Sequence, residues 1–479
     1  MVNHNTLSVR SGDLALFSFS RKIIAVAALM LFTFLQFTYS ADMPKSTDVI
    51  KPTEIKTLTL KESVRTAIMN NRPIQMQEQQ VDYARSGIMY ATSAFLPQVD
   101  FGYNYTLNDA VPSVGQGSPG ARKDPGVYFG FKNNNNLALS ATESVYNGGA
   151  NIATLKQAKL TLKVQDETLR QAKLDVEFEA KRLFFGLLLA YETLRIAQDL
   201  VDTAQAHYEQ TKKMFDQGTA SKFDVLQSKV QVSKLMPQLI SAQNAIDLIM
   251  ADFKKLLVIK LTDPIAVDGK LDYKLIDIME KEFLKEAFSR NPQIILKLLG
   301  IDINKWAIEY AKAGWLPQIS AMANYTFQSD SLKVLVLPRQ SLWSVGAQAS
   351  IALFDGFATK AKVDQAQAQY NQARLAKDDI VDQVALDIKQ ACLNLRESKQ
   401  IIDTQKDSIG EATEALRLAN VRFDNGVGIN LDVLDAQTSL AQVEQNLAQG
   451  IYDYLMAKSQ LNRIMGRLYS GEENYDAGY

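Results

Sequence analysis

The sequence predicts a mixed α/β membrane protein built on an internal two-fold repeat. Three observations predict it. The stretch Phe423–Ala436, FDNGVGINLDVLDA, is echoed at Phe215–Leu226, FDQGTASKFDVL, about 208 residues upstream. Four segments alternate apolar and polar residues for about ten positions, the length of a membrane-crossing β-strand. Two proline-free stretches of about 66 residues carry a seam in steps of three and four, the period of a coiled coil.

Composition narrows the function. The 479 residues carry 52 Lys+Arg against 53 Asp+Glu, so no basic surface marks a nucleic-acid partner. One cysteine, Cys392, forbids an internal disulfide. Two histidines, His4 and His207, cannot build a His-rich metal site. No nucleophile–base pair, metal spacing or phosphate loop is visible, so the reading is a non-enzyme with no cofactor.

Residues 1–40 read as a secretory signal peptide. Arg21 and Lys22 precede an apolar run, Ile23–Leu35, too short for a spanning helix of ~20 residues, and Ser40–Ala41 supplies small residues for cleavage. Cleavage there leaves a net charge of about −3. No later run is long and apolar enough to span as a helix, so an exported chain that crosses a membrane must do so as a β-barrel.

The first repeat is expected over 41–257. An extended lead-in contains Pro44 and Pro52; a short helix covers Leu60–Asn70, and Pro73 opens a longer one to about Phe95. At Leu96-Pro97-Gln98 the period changes to two. Strands are expected at about 98–108, with Val99, Phe101, Tyr103, Tyr105 and Leu107 on one face, and at about 136–146, with Leu137, Leu139, Ala141 and Val145. The loop between them contains a formal G-x-G-x-x-G at Gly115, Gly117 and Gly120. Pro119 sits inside it and no helix follows, which excludes a dinucleotide site. After Asn147-Gly148-Gly149 a helical hairpin is expected over 149–257, its first arm about 99 Å long at ~1.5 Å per residue.

An irregular inter-repeat segment, 258–280, precedes the second repeat at 281–465. Its short helix is Phe283–Arg290, and Pro292 opens a longer one to about Trp315. Leu316-Pro317-Gln318 opens strands at about 317–328 and 342–354, the latter running through Ile351 and Leu353, and a second hairpin covers 356–465. The apolar segment Leu332–Leu337 has no assigned role. Aromatics flank the strands at both ends: Phe95, Tyr146, Trp315 and Phe354 at one, Tyr128, Phe129, Phe131 and Trp343 at the other. Residues 466–479 form a tail.

Each hairpin turns at a glycine, Gly218 and Gly426, followed by a polar residue expected to cap the next helix, Ser221 and Asn430. Asp224 lies three residues after Ser221, the spacing of a capping box. Asp432 falls in a first turn, where a carboxylate favours the helix dipole whatever its function. Asp435 lies beyond that turn, on the same face. His207 lies on the hairpin seam and is expected to be packed and hydrogen-bonded.

The paired LPQ tripeptides, the YNGG and FDGF turns and the paired F-x-x-G…D-V-L turns, NLDVLDAQ above all, resemble the TolC family of outer-membrane channel proteins. The likeness spans the mature chain. It implies a homotrimer whose four strands per chain close a twelve-stranded outer-membrane β-barrel, continued into the periplasm by a long α-helical coiled-coil barrel. Residues 258–280, the lead-in and the tail would form a belt around it. Four strands cannot close a barrel alone, and open edges are not tolerated in lipid, so oligomerisation follows independently.

The implied function is a passive exit duct of a tripartite efflux pump or type I secretion system, working with a periplasmic adaptor (a membrane fusion protein) and an inner-membrane transporter. In the family, aspartates of the second hairpin line the periplasmic entrance; here these are Asp432 and Asp435. A polar lock holds that entrance shut. Asp224 matches its acidic member, while its tyrosine, arginine and threonine positions hold Phe423, Gly428 and Phe223, so packing of Phe423 and Phe223 is expected in its place. The alternatives are a periplasmic coiled-coil scaffold without a pore, which leaves the four strands unexplained, and an outer-membrane enzyme, which lacks a nucleophile–base pair.

Overall fold

The computed structural model describes residues 56–110, 113–114, 127–128, 132–331 and 341–468. The signal peptide, most of the lead-in, the Gly115–Gly120 pattern, Phe129, Phe131, Leu332–Leu337 and the end of the tail lie outside the described residues.

The first repeat runs β1 (Lys56–Leu58), α1 (Leu60–Asn70), α2 (Arg72–Ser93), β2 (Gln98–Leu107), a two-stranded loop hairpin of β3 (Ser113–Val114) and β4 (Val127–Tyr128), then β5 (Asn133–Asn147), α3 (Ala150–Asp216) and α4 (Lys222–Leu257). After β6 (Ile265–Val267) the second repeat runs α5 (Glu280–Arg290), α6 (Pro292–Lys312), a 3₁₀ turn (Ala313–Trp315), β7 (Gln318–Ser329), β8 (Ser341–Ser350), α7 (Ala358–Asp424) and α8 (Asn430–Ile464). Both long arms, α3 and α7, have 67 residues, about 100 Å at 1.5 Å per residue. Among the described residues no helix is long and apolar enough to cross a membrane.

The four long strands form one antiparallel sheet in the order β2-β5-β7-β8. Its register makes the alternation continuous across strands. Phe101 faces Leu139, which faces Tyr325, which faces Trp343, while Asp100, Ser140, Asn324 and Ser344 form the next row on the opposite face. A bulge in β5 between Ser144 and Tyr146 leaves Val145 without a directly opposed residue. Glu143, opposite Ala321, shares the face of Leu137, Leu139 and Ala141 at the helix-proximal end of the sheet. At the other end Tyr103 and Tyr105 donate their hydroxyls to Asn135 and Asn133, at 2.7 and 3.2 Å.

Two expected elements end early. β8 stops at Ser350 rather than continuing through Ile351 and Leu353, because its partner begins at Gln318, directly after Pro317, which has no N–H for a ladder. α6 gives way to 3₁₀ geometry at Ala313, where a Cβ on Gly148 would lie 2.5 Å from the Ala313 carbonyl oxygen, so the chain closes tightly there. The segment 258–280 is not wholly irregular. Its Ile265–Val267 pairs in parallel with β1, and Tyr454 Oη accepts the Ile276 N–H at 2.9 Å.

The repeat is also a repeat of contacts. Asn71 Nδ2 donates to the Leu256 carbonyl at the end of α4; Asn291 Nδ2 donates to the Ile464 carbonyl at the end of α8. Around these ends sits the main core. Leu187 and Phe184 of α3, Phe253 and Leu257 of α4, Ile388 and Leu395 of α7, and Tyr454 and Leu461 of α8 are buried together, each such side chain contributing about 1.5–3 kcal/mol. Glu177 and Lys181 form an ion pair inside it at 2.6 Å.

Candidate functional site: the two hairpin turns

Both turns end their first arm in the same way. Gly218 (φ +83°) donates its N–H to Phe215 O and Thr219 to Met214 O; Gly426 (φ +70°) donates to Phe423 O and Val427 to Arg422 O. These are Schellman closures, and each needs a residue free to adopt left-handed backbone. Gly428 is required for space instead. A Cβ there would lie 2.9 Å from the Phe423 nitrogen and 3.0 Å from the Arg422 carbonyl carbon. The arginine that the resemblance places at this position has no room in this turn.

The return helices start differently. Ser221 caps α4: its Oγ accepts the Asp224 N–H at 3.1 Å and the Asp224 carboxylate accepts the Ser221 N–H at 3.1 Å, a complete capping box. Asp224 is thus held within its own turn. Asn430 is not a cap. The N-cap of α8 is Ile429, with no side-chain capping bond, and Asn430 is the first helical residue. Its side chain turns inward and is 2 % exposed. The polar residue expected at the cap went to a long-range contact, while the orphan N–H groups of α8 lie at an exposed turn.

Asn430 ties three helices together. Its Oδ1 lies 2.6 Å from His207 Nε2 on α3 and 3.1 Å from Ser228 Oγ on α4, and its Nδ2 donates to Gln227 Oε1 at 2.9 Å. Beside it the Phe423 ring packs on the His207 imidazole at 4.9 Å between centroids. Gln210 of α3 donates to the Asp424 carboxylate of α7. Burial holds the His207 imidazole below its usual range; the Asn430 bond and the negative charge of Asp424 offset this only in part.

The expected packing of Phe423 on Phe223 is absent. Phe423 is buried against His207, whereas Phe223 on α4 is 71 % exposed. Phe223 opens an exposed apolar row with Leu226, Val230, Pro237 and Ile240, in steps of three, four and seven. Asp432 and Asp435 stand one turn apart at the start of α8, Asp435 exposed and Asp432 half-buried. Among the described residues neither carboxylate has a hydrogen-bond or ion-pair partner, so neither acts as a side-chain cap.

Comparison with known proteins gives this architecture its kinship. The family model for outer membrane efflux proteins matches residues 64–257 and 283–467, the two repeats. The alkaline protease secretion protein AprF of Pseudomonas aeruginosa is 20 % identical over 86 % of this chain and 84 % of its own. The outer membrane protein TolC of Escherichia coli is 22 % identical over 84 % of this chain and 81 % of its own. Among solved structures, the CmeC outer membrane channel of Campylobacter jejuni superposes with a TM-score of 0.75 at 16 % identity, covering 91 % of this chain and 96 % of that one. The open state of the Neisseria gonorrhoeae MtrE outer membrane channel gives 0.71 at 18 %, covering 90 % and 94 %. The family model, the full-length relatives and the shared fold agree: the chain belongs to the outer membrane efflux protein family.

Proposed function

We propose that this chain, an outer-membrane channel protein of efflux or type I secretion, works as a homotrimeric passive exit duct. Three four-stranded sheets close one twelve-stranded barrel, and the hairpins α3–α4 and α7–α8 continue it as a helical tunnel through the periplasm. A periplasmic adaptor and an inner-membrane transporter deliver the cargo, which comprises drugs, other small solutes or proteins. At the closed end Asp432 and Asp435 line the entrance, and the turns at Gly218, Gly426 and Gly428, with Asp224, Phe223 and Phe423, set its shape.

The observation that carries this reading is the pair of free edges on β2 and β8. Each edge presents about ten backbone groups without a ladder partner, and each such group costs several kcal/mol in hydrocarbon. Pairing β8 of one copy with β2 of the next removes both edges at once. The exposed row from Phe223 to Ile240 on α4, and Leu375, Leu386 and Leu393 exposed on α7, support the same neighbour contact along the helices. The names of relatives include both an efflux protein, BepC, and a protease secretion protein, AprF, which supports a duct serving either kind of cargo.

Planar-bilayer recording of the purified, unheated protein tests this. Discrete, long-lived conductance steps are expected. A preparation that reaches the outer membrane yet never raises bilayer conductance above the lipid background would leave the scaffold reading standing.

A further inference from the structure

The cluster around Asn430 joins the two hairpins of one chain at the end where the proposed duct must open. His207 comes from α3, Ser228 and Gln227 from α4, Asn430 from α8, and the Phe423 ring from α7. His207 and Asn430 are separated by 223 residues in sequence and joined at 2.6 Å. Both are buried, as is Ser228. We propose that this cluster is the latch that holds the two hairpin ends of each chain together, and that protonating His207 releases it. The inference rests on the duct reading and adds to it which side chains hold the entrance shut and what loosens them.

The chemistry follows from what surrounds the imidazole. Asn430 Oδ1 faces Nε2, so Nε2 carries the proton and donates. A second proton would have to sit on Nδ1 and put a full charge into the packed seam. The charged group near enough to matter is Asp424, on α7, already bonded to Gln210. On α4 the neutral Ser228 and Gln227 side chains and the Asp224 carbonyl bond the Asn430 side chain, while the Asp224 carboxylate is held by Ser221 in its capping box. On its own helix Thr211 Oγ1 donates to the His207 carbonyl.

Burial therefore favours neutral His207 in the closed arrangement. When the hairpins part and the ring meets water it returns to its ordinary range, about 6.5. Closure is fully stabilised above that range and weakens as pH falls through it. Latch release needs no covalent step, only a proton from solvent.

The experiment compares open probability of the full-length trimer in planar bilayers at about pH 7.5 and about pH 5.5, a range that brackets histidine titration. The parent is expected to open more at the lower pH, by about tenfold, the equivalent of about 1.4 kcal/mol. His207→Gln keeps a neutral donor that does not titrate; it should stay closed at both values. Asn430→Ala should open readily at both. Should Asn430→Ala fail to assemble, Ser228→Ala, which removes a smaller part of the cluster, should still raise opening at pH 7.5. A pH response that persists in His207→Gln overturns the proton step. An Asn430→Ala or Ser228→Ala trimer as closed as the parent overturns the latch. Either result leaves a working pore and so leaves the duct reading intact, whereas no conductance from the parent removes both.

Discussion

Leu139 of β5 lies directly opposite Tyr325 of β7. The two halves of a duplicated chain thus meet in the middle of one sheet and leave their other strands, β2 and β8, at its edges. In the proposed barrel those two edges are where neighbouring copies would pair.

The first prediction concerns those faces. In a Cys392→Ala background, which removes the only native thiol, cysteine at Tyr103 or Val345 should resist a membrane-impermeant, water-soluble thiol reagent. Cysteine at Asn104 or Gln348, on the opposite face, should react. Cys392 is buried in the core, and its replacement by alanine removes a single sulfur atom, so assembly of the background is checked before labelling. Equal labelling of both sets would contradict the lipid-out, water-in assignment.

A second prediction separates the two helix starts. Ser221→Ala removes an exposed capping box and should cost about 0.5–2 kcal/mol. Asn430→Ala leaves the buried His207 N–H without its acceptor, worth about 1–3 kcal/mol, and also takes a donor from the half-buried Gln227 side chain. Thermal dissociation of the trimer should therefore shift further for Asn430→Ala than for Ser221→Ala. The reverse order would mean that Asn430 acts as an ordinary cap.

Much of this fold could be read from the chain because its signals are local. The LPQ junctions, the glycine turns and the period-two strands are each decided by residues within a few positions, and Leu60–Asn70 was readable to the residue. What escaped reading is long-range. Asn430 has the side chain of a good cap, and only the fold shows that His207 and Ser228 compete for it. The clue present in the sequence was His207 itself, a titratable residue on the hairpin seam about three turns before Gly218. The β1–β6 pair has three residues on each side, too few for any alternation to register. Glu143 keeps the odd–even register of β5, opposite Ala321; the simple count stops applying at the bulge after Ser144, which takes Val145 out of the row. Phe223 stands where the resemblance places the lock's threonine, but its ring is exposed while Phe423 packs on His207.

The third prediction concerns the entrance. Three copies would bring six carboxylates, from Asp432 and Asp435, to one narrow opening, a field that attracts cations. The pore should prefer cations, and a trivalent cation added on the helical side should block it. Asp432→Ala with Asp435→Ala should weaken the block without lowering trimer stability by more than about 1 kcal/mol, since only a helix-dipole interaction is lost. A double variant blocked as strongly as the parent would remove these residues from the entrance.

The most direct test of the central claim, that four strands per chain close only in company with two further copies, is heat-modifiable migration on a denaturing gel. Unheated protein should run as a species of three chains and collapse to a single chain on boiling, with loss of pore activity in the boiled sample. Protein that migrates as one chain without heating, from a preparation that still conducts, would contradict it.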